Sequence, residues 1–352
     1  MKKLISLILV SAMVLGALSG CGNSNKKETG APAQKETKTE TGEASEYEEA
    51  TIKVAHIFAE SHALHKGLQK WSDITAEKTN GKVKIEVYPN GVLGSENEGL
   101  QQVIQGTLPA CLVSAAVVFQ NFDGRANVEE LPFLWKDAET ANAAYDGEFG
   151  QAFAKDIINP LGLETLCFFA NGFRHFTNNV KPITKPEDLK GLKLRSSPLE
   201  LRIQMFEGLG ASITPMTLGE VYTALQQGTV DGQENPFGII LTANLAEVQK
   251  YLSISGHIYN AATLVINDDF WASLPENTQK ALKEAADEAK VYQREINIKE
   301  DAEALEKLKE LGMEINEVDL EAFKEATKPV WDYYTEKYGS DLVDLALKYA
   351  NK

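Results

Sequence analysis

Two arginines lie where strands are about to end. In "NGFRHFTNNV" (171–180) Arg174 falls in a strand-like run, and "DLKGLKLRSSP" (188–198) closes a short alternating strand on Arg195, just before Ser196, Ser197 and Pro198. Strand ends in open α/β sheets face the crevice where ligands bind. A guanidinium there offers a rigid fork of donors that meets a carboxylate at two points, whereas a lysine brings a mobile point charge, so the pair suits an anionic ligand. The competing use is structural, with each arginine pairing to an internal acid such as Glu187 or Glu200, and for Arg195 the two readings weigh equally. Further on, "GTVDGQENP" (228–236) sets two acids, an amide pair and an Asn-Pro step at what reads as the end of a buried strand. Polar groups so placed need partners.

Other chemistries leave weaker traces. There is no Gly-Lys-Ser/Thr phosphate loop and no Gly-x-Ser-x-Gly elbow. "GLGASI" (208–213) approaches a dinucleotide fingerprint but lacks the third glycine and follows a helix rather than a strand. Five histidines are present, at 56, 62, 65, 175 and 257. His62 and His65 share a helical face, but no Cys or carboxylate stands nearby at ligand spacing, so they read as surface residues near a helix start.

The elements that must position the arginines are legible. Thr217 and Glu220 form a Thr-x-x-Glu capping box, Met216 before the cap can staple to Val221, and Gly228 suits a left-handed stop. That helix delivers the polar stretch to a defined place. Upstream, "TIKVAHI" (51–57) alternates like a strand, 62–79 has helical spacing, Asn80-Gly81 signals a turn, and "KVKIEVYP" (82–89) is again a strand. Ser95 with Glu98 offers a second capping box for a helix through Gly106, and "LPACLVSA" (108–115) follows as a strand. Helices alternating with strands argue for α/β layers with largely parallel sheets, and the roughly 300 residues after Thr51 favour two domains. From Pro275 to Gly312 the spacing of Leu282, Ala285, Ala289, Tyr292 and Ile296 gives one helical face, long enough to brace two lobes. A break near Asn297 is the alternative.

At the N-terminus, Lys2 and Lys3 precede an apolar run from Leu4 to Leu18 and then Ser19-Gly20-Cys21, the order of a secretory signal. The run is shorter than the roughly twenty residues that cross a bilayer. Residues 22–50 hold no Val, Ile, Leu, Met, Phe or Trp, and such a segment is expected to be a disordered tether. Cys111 and Cys167 remain, in stretches that read as buried strands, and two buried thiols are favoured over a disulfide. The formal charge is −16, or −18 without Lys2 and Lys3, and no run of Lys or Arg follows residue 50, which argues against nucleic acid as a partner.

Taken together, "LGASITPMTLGEVYTALQQGTVDGQENP", "DLKGLKLR", "EVQKYLSISGHIY", "EKTNGKVKIEVYPNGVLGSE", "LPFLW" and "GFRHFTN" resemble the extracytoplasmic solute receptors of tripartite ATP-independent periplasmic (TRAP) transporters, the DctP family. The likeness runs from Thr51 to about Tyr338. It implies an α/β, two-lobed, periplasmic-binding-protein-like fold with solute in the cleft and a long bridging helix. Lobe 1 would comprise 51–171 plus about 261–300, and lobe 2 would comprise 172–260 plus about 301–352. By the same resemblance Arg195 pairs with the solute carboxylate, Arg174 assists, and Asn235, set by the rigid Pro236, donates to the same end, while Asp231, Gly232 and Glu234 build the turn. Further lining falls on Ile57 or Phe58, on Ser114, and on Leu218, where many members carry an aromatic. "LSGC" (18–21) resembles a lipobox, implying a lipoprotein signal over 1–20, lipidation of Cys21, a tether over 21–50 and a place on the outer face of the bacterial membrane.

The expected function is a receptor that binds an organic acid and passes it to a small and a large membrane subunit. It would use no cofactor, neither ATP nor metal, do no catalysis, and be a monomer by default. A receptor serving an ATP-driven importer or a sensor kinase is the alternative, and an anchored hydrolase or lyase a distant third.

Overall fold

The computed structural model describes residues 47–351. The expected signal peptide, Cys21 and all but the last residues of the tether lie outside them.

Among the described residues, eleven strands form two sheets. The first contains β1 (Ala50–Ala55), β2 (Val83–Tyr88), β3 (Ala110–Ser114), β4 (Leu163–Phe173) and β10 (Tyr259–Asn267), in the order β2-β1-β3-β10-β4. The second contains β5 (His175–Asn178), β6 (Lys193–Ser196), β7 (Ser212–Pro215), β8 (Gly232–Asn235), β9 (Tyr251–Ile254) and β11 (Glu314–Glu317), in the order β11-β9-β5-β8-β6-β7. The sheets are mixed rather than largely parallel. β1 runs parallel to β2 and β3, but β10 is antiparallel to both β3 and β4, and β5 is antiparallel to β8 and β9. The cause is the route of the chain: it leaves the first sheet along β4 and re-enters it along β10, so those two strands must run opposite ways.

Arg174 is the single residue between β4 and β5, and its N–H donates to the carbonyl of Ile258, on the returning segment, at 2.9 Å. The third link is the helix Glu276–Glu310, 35 residues without interruption and so about 52 Å long. No break occurs near Asn297. Its Leu282, Ala285 and Ala289 pack with Ile52, Trp71 and Phe169 in one core, and its Ala304 and Leu308 pack with Val221, Phe237 and Leu252 in another. Between the two, buried Gln293 brackets β4: its Oε1 accepts from the Ala170 N–H and its Nε2 donates to the Ala170 carbonyl, each at 2.8 Å.

Local signals act as sequence chemistry requires. The Ser95 N–H donates to Glu98 at 2.8 Å and the helix begins at Glu96; the Thr217 N–H donates to Glu220 at 2.9 Å and the helix begins at Leu218. The turn residues Asn80 and Gly228 have φ of 52° and 67°. The last helix, Asp341–Ala350, was expected with the second lobe. Its apolar stripe, Leu342, Val343 and Ala346, instead joins the core that holds Tyr145 and Phe149 of the helices at 138–153, where matching apolar surface is available.

Cys111 and Cys167 are free and buried. They lie opposite Val265 and Leu264 on the intervening β10 and pack into different cores, hence on opposite faces of the sheet. Two strand spacings put them about 9–10 Å apart, beyond the roughly 7 Å that a disulfide spans. Burial pushes the Cys167 thiol up to about 12, so it is unreactive.

Replacing Gln293 by Leu keeps volume but strands the N–H and C=O of Ala170. The expected cost is about 2–6 kcal/mol in urea unfolding, the sum for two buried unpaired groups; an unchanged midpoint would mean that water or backbone shifts satisfy them.

Candidate functional site

The stretch 231–235 carries four polar side chains into the middle of a sheet. Asp231 ties it to β6, its N–H donating to the Lys193 carbonyl at 2.7 Å and its Oδ2 accepting from the Lys193 N–H at 2.8 Å. Gly232 has no room for a side chain, since a Cβ there would lie 2.1 Å from the Thr177 carbonyl oxygen on β5. Every residue of β8 is buried, and each finds partners. Gln233 donates to Thr177 Oγ1 at 2.9 Å and accepts from Asn235 Nδ2.

Glu234 sits at the centre of a charge cluster. Arg174 grips it with Nε at 2.5 Å from Oε2 and Nη2 at 3.0 Å from Oε1, and Nη2 also reaches Asn235 Oδ1 at 2.8 Å. Arg202 approaches the same carboxylate through Nη1 at 3.1 Å, while its Nε and Nη2 each donate to Glu130 at 2.7 Å. Asn260 Oδ1 accepts from Arg202 at 3.0 Å and its Nδ2 donates to Glu130 at 2.9 Å. Burial alone would raise the Glu234 carboxyl; the Arg174 and Arg202 guanidiniums overcome that and hold it well below the usual carboxylate range.

Arg195 is different. It is 2% exposed, and among the described residues its guanidinium has no carboxylate partner: Nε and Nη2 donate to one carbonyl, that of Met216, at 3.0 and 2.8 Å. Burial pulls its pKa down to about 9, against the attraction of Glu234. Neither acid proposed as a structural partner serves it; Glu200 holds Lys337 and Tyr338 of the penultimate helix at 2.5 and 2.9 Å.

One residue beyond Met216, whose carbonyl Arg195 holds, Thr217 and Leu218 join Pro198 on one wall of a cavity of about 360 Å³ between the two sheets, with Ile57, Glu96 and Val117 on the other. Gln120 joins the walls at its edge: Nε2 donates to the Pro198 carbonyl at 2.5 Å, and Oε1 accepts from the Glu200 N–H at 3.0 Å. A second cavity, of about 430 Å³, is lined by His62, Lys66, Gly238, Asn297 and Asp301 among others; among the described residues no arginine lines either cavity, and Arg195 adjoins the first through Met216, next to the wall residue Thr217.

The expected site residues thus fall into two groups. Leu218 lines the cavity, and Ser114 borders it, its N–H donating to Glu96 Oε1 at 2.6 Å. Arg174 and Asn235 meet each other and the internal acid rather than open space. Phe58 is 3% exposed, stacked 5.4 Å from His62 and packed in the first core, so of the Ile57/Phe58 pair it is Ile57 that faces the cavity. His62 and His65 are not surface residues: His62 caps its helix by accepting the Leu64 N–H at 3.2 Å, and His65 Nδ1 lies 3.0 Å from His56 Nε2. Burial lowers His56 to about 3 and His62 to about 4, keeping both neutral. Sequence reasoning missed Arg202 and Glu130. A signal for Arg202 existed, since Met205 and Phe206 follow at spacings of three and four and place it on the apolar face of its helix.

A two-sheet α/β chain whose crossing strands carry buried guanidiniums beside a cleft is a two-lobed binding protein of the periplasmic type. The model of the DctP family, bacterial extracellular solute-binding protein, family 7, matches residues 54–337, and the chain belongs to that family. It is 32% identical over 277 residues to the 2,3-diketo-L-gulonate-binding periplasmic protein YiaO of Escherichia coli K12, covering 78% of this chain and 84% of that one. Among solved structures, it superposes with a TM-score of 0.83 and 28% identity on the sugar acid binding protein DctPAm from Advenella mimigardefordensis in complex with galactonate, over 87% of this chain and 99% of that one. A TRAP periplasmic solute-binding protein from Polaromonas sp. JS666 bound to D-erythronate gives a TM-score of 0.81 at 33% identity, over 85% and 98% of the two chains.

Glu234→Gln is expected to cost about 3–5 kcal/mol at pH 7, because it leaves two buried guanidiniums undercompensated. Glu234 has a depressed folded pKa, so its contribution is complete above its unfolded pKa of about 4.5 and fades as pH falls below that. Urea titrations at pH 7 and 3.5 are therefore expected to show the gap between variant and wild type narrowing at acid pH; a gap independent of pH would separate it from ionisation.

Proposed function

We propose that this protein is the extracytoplasmic receptor of a TRAP transporter, capturing an organic acid in the cleft between its sheets and releasing it unchanged to a small and a large membrane subunit. The observation that carries the reading is Arg195, a buried guanidinium one residue from the cavity wall whose donors reach one carbonyl and, among the described residues, no carboxylate. Leaving such a charge unpaired is costly, and an arriving carboxylate removes the cost. Arg174 and Asn235 act from behind: the internal network fixes their positions and keeps the strand end rigid. Leu218, Ser114 and Phe58 complete the surroundings, Phe58 by packing under Ile57. The relatives' ligands, galactonate and D-erythronate, are sugar acids, which supports the same class here.

The lobes follow the sheets: 51–171 with about 261–300 form the first, and 172–260 with about 301–340 form the second. The closing helix at 341–350 goes with the first by its packing on the helices at 138–153. Lipidation of Cys21 and a tether to residue 50 would hold the receptor at the outer face of the cell membrane, within reach of its membrane partners. Binding requires no cofactor.

Arg195→Ala is expected to weaken binding of the best sugar acid by about 2–5 kcal/mol in calorimetry, the range for truncating one partner of a buried charge pair. Arg195→Lys is expected to bind poorly too, since the fork is lost while the charge stays. Wild-type affinity in the alanine variant would remove Arg195 from the site.

A further inference from the structure

Glu96 is the first residue of the helix that Ser95 caps, and it stands on the cavity wall across from Thr217 and Leu218. Ser114 holds one of its oxygens through a backbone N–H at 2.6 Å, and among the described residues no cation pairs with it. An acid is thus set in a binding cavity and oriented from behind, yet left without a counter-ion. Burial raises its pKa, and Arg195 and Arg174 act in the opposite sense from the far side of the cleft.

The buried charges fix how many anions this place accepts. Arg174, Arg195 and Arg202 are three positive groups; Glu130 and Glu234 are the two acids paired with Arg202 and Arg174. Glu129, next in sequence to Glu130, is pushed by burial to about 8, which favours its neutral form at pH 7. With Glu96 the acids also number three, so one solute carboxylate can take the Arg195 fork, which reaches no acid, but no positive charge is in excess. A second would find no cation left among these groups and would meet the Glu96 carboxyl, whereas a solute hydroxyl there donates a charge-assisted hydrogen bond. Asn90 and Asn97 on the same wall add amides that suit hydroxyls as donors and acceptors alike.

We infer that Glu96 is the specificity-determining residue of this cleft, accepting hydrogen bonds from solute hydroxyls and repelling a second carboxylate, so that the site takes polyhydroxylated monocarboxylic acids and rejects C4-dicarboxylates. The inference rests on the role proposed above for Arg195.

The test is calorimetry of the purified protein with two sets of probes, D-galactonate, D-gluconate, D-glucuronate and D-erythronate against succinate, fumarate and malate. The wild type is expected to bind its best sugar acid at least about a hundredfold tighter than its best dicarboxylate. Glu96→Gln is expected to lose about ten- to a hundredfold for the sugar acid, the worth of a hydrogen bond to a charged group, and to bind dicarboxylates better than the wild type. Glu96→Asp keeps the charge on a shorter arm and is expected to lose sugar-acid affinity while still rejecting dicarboxylates, which separates charge from reach. Thermal unfolding of each variant without solute checks that the fold is retained. A wild type that prefers a dicarboxylate, or a Glu96→Gln variant whose ratio between the classes is unchanged, would overturn the inference and leave the receptor reading standing. Binding of neither class by the wild type would sink both.

Discussion

Three guanidiniums buried within one neighbourhood are the constraint on which the rest of this molecule depends. Each ion taken out of water costs several kcal/mol unless it is paired and its donors are used. Arg174 and Arg202 meet that condition through Glu234 and Glu130, with Asn235 and Asn260 taking remaining donors. Arg195 meets it only in part, through one carbonyl. The difference is plain in the partners: two guanidiniums are held by carboxylates at the strand ends, and the third by a carbonyl alone.

The cluster also explains why β8 is polar where a sheet interior is ordinarily apolar. Glu234 must face both arginines, Gln233 must face Thr177, and Gly232 must let β5 come close, so none of the four positions is available to a valine or isoleucine. The cluster lies where the chain passes between sheets, because Arg174 is itself the joint between β4 and β5. The helix Glu276–Glu310 then keeps the two cores in register on the other side, with Gln293 fastened to β4.

Much of this was legible in the sequence wherever the signal was local. Both capping boxes, the Asn-Gly turn and the glycine stop at 228 depend on residues a few positions apart and appear in place; the long helical face holds at Leu282, Ala285 and Ala289 but then passes to Gln293 and Asn297, with Tyr292 exposed. Arg195 was legible as a strand-end guanidinium, but its freedom from Glu187 and Glu200 was not, since pairing is decided by the fold. The partners of Arg174 and Arg202 were hidden for the same reason: Glu130 lies 72 residues from Arg202 and Glu234 lies 60 from Arg174. The histidines misled because a residue near a helix start reads as exposed, while tertiary packing had covered His62 with Gly238 and Phe58. The last helix misled because an apolar stripe tells that a helix packs, not on which neighbour.

The long spans within the charge cluster bear on how the chain acquires its competence. Asn260 reaches Glu130 across 130 residues, and Arg174 reaches Glu234 across 60, so no single contiguous fragment short of most of the molecule contains the whole set. Loop-closure entropy must be met before such distant contacts return anything, which places them late on the route from the unfolded ensemble. Local helices, by that ordering, precede them, with the cluster's arginines and glutamates still in water. Only the final docking of the segments around residues 130, 174, 202, 234 and 260 dries the cluster and gives Arg195 its low-dielectric surroundings. On the role proposed for Arg195, a half-assembled chain would lack the buried fork, and recognition would arise together with the native state.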